Sequence, residues 1–128
     1  MNKIKPIHLL RIGMGIDMMV HGLIRLPVLA TFVSKSAVKF NGTFLPPVLV
    51  TAFLYALPFI EALLGILILL GGKTGRLGLV GGGLFISVLL FGTAVKQEWN
   101  VAAEQVTYLI AFALALHFHD RHMGDMTS

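Results

Sequence analysis

A chain of 128 residues that is 56% hydrophobic and 12% charged, with a mean hydropathy of +0.86, carries more apolar surface than a water-soluble domain of its size can bury. Its net charge of +4 and pI of about 9.8 come from basic residues scattered among loop ends, which suits anionic lipid headgroups and argues against nucleic acid as a partner. The absence of cysteine excludes disulfides, thiolate metal sites and cysteine nucleophiles, so redox chemistry would need a bound cofactor or a partner protein.

A hydrocarbon core about 30 Å thick needs about 20 apolar helical residues per crossing, which caps the count near four. The expectation is an all-α integral membrane four-helix bundle forming one domain over residues 1–128. The N-terminus has no small-residue cleavage site after a short apolar core and reads as retained.

The first span is expected over about 7–26, with Pro6 suited to a first helical turn and Pro27 marking an end. Residues 27–46, with Lys35, Lys39, Asn41 and Gly42, are too polar to cross and read as an amphipathic or re-entrant segment. Pro46-Pro47 opens a second span over about 47–70, with a kink expected near Tyr55 to Pro58. The glycine-rich turn Gly71 to Arg76 makes the second and third spans antiparallel neighbours.

The third span is expected over about 77–95, where Gly78 and Gly82 lie on one face and let another backbone approach. After the polar connector Lys96 to Asn100, with Trp99 as an interfacial anchor, a fourth span runs over about 101–116. Met123 to Ser128 read as a loose tail. Lys3, Lys5, Lys73, Arg76 and Arg121 fall on one side, against Arg25, Lys35, Lys39 and Lys96 on the other, which favours both termini in the cytoplasm.

The first span carries the chemistry. At 100° per residue, with Arg11 at 0°, Asp17 falls at about 240°, His21 at about 280° and Arg25 at about 320°, all within roughly a third of the circumference. Asp17, His21 and Arg25 are spaced i, i+4 and can form a hydrogen-bonded ladder. Isolated charges near the bilayer centre cost at least about 2.5–3.5 kcal/mol each, so this face should turn inward.

Gly15 and Gly22 lie beside the stripe and leave room for a neighbour. Glu61 of the second span falls at the depth of Asp17, so the two are candidate neighbours, a site suited to proton transfer. His21 and Arg25 should share a layer with Glu104, Gln105 and Tyr108 of the fourth span, and Tyr55 of the second. Spacing alone leaves two readings open: a working site, or buried ion pairs that set helix register.

His117, His119 and His122, with Asp120, could ligate a metal only if the tail folded back, so a solvated tail and no metal site are expected. Haem is disfavoured because no second histidine lies at the depth of His21 and there is no Cys-x-x-Cys-His attachment. No phosphate-binding glycine loop or nucleophile elbow is present, which argues against a hydrolase or nucleotide-driven pump.

Arg11-Ile-Gly-Met-Gly15, then His21-Gly22-Leu-Ile-Arg25-Leu26, then Glu61-Ala-Leu-Leu-Gly65 running to Gly71 and Thr74-Gly75-Arg76, resembles the DoxX family over almost the whole chain. That family consists of small four-helix bacterial and archaeal membrane proteins similar to subunits of thiosulfate:quinone oxidoreductase. The resemblance implies Arg11, Gly15, His21, Gly22, Arg25, Glu61 and Gly65 as positions of interest, with Arg25 where lysine is more usual.

It also implies quinone as cofactor, a partner redox or membrane protein, and the bacterial cytoplasmic membrane as location. On this reading Asp17, His21 and Glu61 handle protons, while Arg11, His21, Arg25, Tyr55, Gln105 and Tyr108 hold the quinone. A non-enzymatic anchor or assembly partner is the alternative. Small-solute or proton transport stands third, since no inverted repeat supports it.

Overall fold

The computed structural model describes residues 5–127 and is all-helical over them. Helix α1 spans Pro6–Arg25, followed by a 3-10 turn at Leu26–Val28 and helix α2 at Leu29–Val38; α3 spans Pro47–Leu70, α4 Gly72–Val95 and α5 Trp99–Thr127. Among the described residues, four helical stretches are long and apolar enough to cross a membrane: Pro6–Val38, Pro47–Leu70, Gly72–Val95 and Trp99–Gly124. Large apolar side chains such as Ile12, Phe59, Leu63, Leu84 and Ile110 point outward from all four, the surface of a chain solvated by lipid.

Each boundary has a local cause. Pro6 and Pro47 stand at first helical positions, where a missing N–H costs nothing. Pro27 cannot continue the α ladder, and the chain tightens into the 3-10 turn before α2. Segment 27–46 is therefore helical over Leu29–Val38, with Val33 buried and α2 packed on α3, before the turns that lead to Pro47. Pro58 lies buried inside α3.

The turn between α3 and α4 is shorter than the expected six residues. Gly71 and Gly72, with φ +74° and +62°, make the reversal, and α4 begins at Gly72 instead of Leu77. Only glycine takes that backbone conformation without strain. The guanidinium of Arg11 donates to the carbonyls of Ile68 and Leu69 at 3.0 and 2.8 Å, satisfying the last carbonyls of α3.

The fourth span also outruns its expected end at Leu116, and the chain expected to be loose from Met123 is helical through Thr127. His119 is buried at 3% exposure, its Nε2 donating to the Gly72 carbonyl at 2.9 Å, and Arg76 pairs with Asp120 at 2.9 Å. The rings of His8 and His122 meet edge to face at 5.1 Å. A solvated tail is thus replaced by a docked helix end, whose polar groups found partners on α1 and α4. Lys3 and Ser128 lie outside the described residues.

The helices pack in the order α1, α3, α4, α5, with α1 and α5 touching only sparingly. The α1–α3 seam is built on small residues: a Cβ on Gly22 would collide with the Pro58 carbonyl and the Ala62 backbone, and one on Gly65 with the Met19 backbone. On α4, Gly78 admits Ile68 of α3 and Gly82 admits the Phe112 ring of α5. Such close approach gives dispersion contacts where no hydrophobic driving force separates helix from lipid.

Candidate functional site

The tight α1–α3 seam and the sparse α1–α5 contact leave a cleft on one side of α1. It encloses a cavity of about 590 Å³ lined by Asp17, His21 and Arg25 of α1, Glu61 of α3 and Glu104, Gln105 and Tyr108 of α5. Met14, Phe85 and Phe112 supply apolar wall. The volume is that of a small-molecule site, with few polar groups set in apolar lining.

Arg25 is the best-held group. Its Nη1 donates to both carboxylate oxygens of Glu61 at 3.1 Å, and Phe32 of α2 lies under the guanidinium at 4.7 Å. Its Nε and second terminal nitrogen make no hydrogen bond among the described residues, leaving donors for another acceptor. The Glu61 side chain is 9% exposed and that of Arg25 32%, so the pair closes the inner wall of the cleft.

Asp17 does not pair with Glu61. Its partner is His21, whose Nδ1 lies 3.3 Å from the carboxylate and 2.8 Å from the Asp17 backbone carbonyl. A carbonyl oxygen only accepts, so Nδ1 carries the hydrogen, and Nε2 of the neutral ring is an acceptor. The two side chains are 45% and 52% exposed, which opens them to the cleft. Across it, the side-chain oxygen of Gln105 is buried with no hydrogen-bond partner among the described residues. A buried acceptor without a donor costs free energy that a ligand O–H or N–H would recover.

The structure thus gathers Asp17, His21, Arg25, Glu61, Gln105 and Tyr108 around one cavity. Arg11 and Tyr55 do not line it: Arg11 caps the end of α3, and Tyr55 is exposed. Glu104, expected only as a layer neighbour, lines the cavity as well. The α4 wall of Phe85, Ile86 and Leu89 was missed, because nothing in a uniformly apolar span marks which residues face a cavity. Among the described residues no group of three histidine or acidic side chains could hold a metal ion.

Fold and site define a small multi-pass helical membrane protein with an ionisable cleft between its first and last spans. Comparison of the chain with models of known families, with curated proteins and with solved structures gives no match.

Proposed function

We propose that this chain is a DoxX-like component of a quinone-linked oxidoreductase system in the bacterial cytoplasmic membrane, with both termini cytoplasmic and a quinone site in the cleft. The observation that carries the reading is the single cavity lined by Asp17, His21, Arg25, Glu61, Gln105 and Tyr108. The residues fit such a head group: spare guanidinium donors on Arg25 suit a ring carbonyl, the orphaned Gln105 oxygen suits a hydroxyl, and Met14, Phe85 and Phe112 suit the ring faces.

When bound, quinone would supply a two-electron carrier for a partner redox protein. The chain's own residues hold and move the proton. Nε2 of His21 accepts it from a hydroxyl in the cleft, and Asp17, against Nδ1, stabilises the resulting imidazolium. Glu61, held by Arg25, is a second carboxylate lining the cavity.

Lipid extraction with mass analysis of purified protein, together with a visible spectrum, separates bound quinone from haem and from an empty bundle. Retained quinone, and loss of membrane redox activity in folded Asp17→Asn and Glu61→Gln variants, is expected. Protein that binds no quinone, with unchanged activity in those variants, overturns the reading.

The Arg25–Glu61 pair, which ties α1 to α3 beside their tightest contact, favours a second reading. Here the pair sets helix register in a non-enzymatic membrane anchor, and segment 27–46 is an interfacial face that docks another protein. The same substitutions would then lower stability and leave electron transfer unchanged.

A further inference from the structure

A second cavity, of about 480 Å³, lies between α2, α3 and α4. It shares Arg25, Glu61, Leu89, Val101 and Gln105 with the cleft, so the ion pair stands in the wall between the two. Along α3 its lining runs from Leu49 and Val50, near the start of the helix, to Glu61. Val50 and Glu61 are eleven residues apart, about 16 Å of helix, close to half of a hydrocarbon core about 30 Å thick. The cavity therefore spans the depth of one leaflet, and its length suits a single acyl chain lying along the membrane normal.

Its two ends differ. The inner end is closed by Arg25 and Glu61, which stops a longer chain, and the walls are apolar, with Phe53, Leu54, Leu57 and Val88. The outer end lies where α3 begins, α4 ends and α5 begins, and there the lining is polar: Lys39, Lys96, Glu98, Ser36 and Thr93. The Lys96 ammonium lies 3.0 Å from Glu98 and 4.8 Å from the Phe40 ring centroid, and Lys39 makes no ion pair among the described residues. One positive charge at the mouth is left without a counterion.

An apolar slot one leaflet deep with a cationic mouth is the complement of an anionic amphiphile. We infer that this cavity binds an anionic phospholipid of the surrounding bilayer, one acyl chain between α2, α3 and α4 and the phosphate at Lys39 and Lys96. The inference needs no quinone in the cleft: the two cavities share a wall that includes Arg25, Glu61 and Gln105, but the apolar slot and its lysine mouth belong to the second cavity alone.

The test uses the full chain in mixed micelles containing equal phosphatidylglycerol and phosphatidylcholine, with native mass spectrometry counting retained lipid. One phosphatidylglycerol per chain should survive in preference to phosphatidylcholine. Lys39→Gln should reduce the preference about fivefold, the factor one lysine contributes near an anionic surface. Lys35→Gln, on α2 outside the cavity lining, should leave it unchanged.

Trp99 is the sole tryptophan, so Phe53→Trp in a Trp99→Phe background reports on the cavity alone, and Leu49→Trp provides a second reporter at its mouth. Phosphatidylglycerol brominated in mid-chain should quench the Phe53→Trp reporter more than phosphatidylcholine brominated at the same carbon. Equal retention of the two lipids, equal quenching by them, a free fatty acid in place of the phospholipid, or an equal effect of Lys35→Gln and Lys39→Gln overturns the inference.

Discussion

Removing either partner of the Arg25–Glu61 pair tests what the buried charges contribute. Nη1 of Arg25 donates to both Glu61 oxygens at 3.1 Å, and the carboxylate is almost fully enclosed. Glu61→Gln leaves the guanidinium with the Phe32 ring and a neutral amide in place of a charged acceptor. An unpaired charge at mid-membrane costs about 2.5–3.5 kcal/mol, and the third of Arg25 that faces the cleft relieves part of it, so a loss of about 2 kcal/mol is expected.

Arg25→Gln should cost a similar amount. The double variant should cost well below the sum, giving a coupling of about 1.5–2 kcal/mol between the positions. Unfolding by SDS in mixed micelles, followed by far-ultraviolet circular dichroism, measures all four proteins. Losses that add to within about 0.5 kcal/mol would falsify the claim that the two side chains stabilise the bundle through each other.

Gly22→Ala should destabilise the bundle by about 1–3 kcal/mol, because its Cβ would strike the backbone of Pro58 and Ala62, whereas Gly13→Ala, with open space around it, should be neutral or stabilising in the same unfolding assay. Arg11→Met should cost about 1.5–3 kcal/mol by freeing the carbonyls of Ile68 and Leu69, and should speed amide hydrogen exchange around Gly71 while leaving ligand binding in the cleft intact. His119→Phe keeps an aromatic ring but loses the bond to Gly72, so the end of α5 should exchange its amide hydrogens faster with little change in the spans; protection equal to wild type over 117–124 would refute the docked helix end.

Much of the bundle was legible because hydrophobic length and proline position act locally. Pro6, Pro27 and Pro47 set helix boundaries through a missing N–H, and four apolar stretches follow from the thickness of a hydrocarbon core. The shared face of Asp17, His21 and Arg25 followed from helical periodicity, and that face does line one cavity with Glu61, Gln105 and Tyr108. The helix ends were less legible. Gly71 and Gly72, both with positive φ, reverse the chain, and α5 continues past Leu116 because His119 and Asp120 find partners on α4.

What the sequence by itself determined is the set of helices and the shared side of Asp17, His21 and Arg25 on the first, since periodicity and hydropathy are properties of single segments. Their turning inward did not follow, since Asp17 and His21 are about half exposed while Gly15, Met18 and Gly22 are buried. What only the tertiary structure decided is the pairing. Asp17 and Glu61 were expected as neighbours, yet α3 meets α1 beside Asp17 at Gly65 and beside Gly22 at Pro58 and Ala62, so Glu61 bonds to Arg25 while Asp17 stays with His21 on its own helix. The contact of Gly22 with Pro58 and Ala62 brings α1 against α3 near Glu61, within reach of the long arginine side chain, and the sparse α1–α5 contact leaves the remaining polar groups open to a cleft. Rotation and separation of helices depend on which small residues meet across a seam, and a single helix read alone does not contain that information.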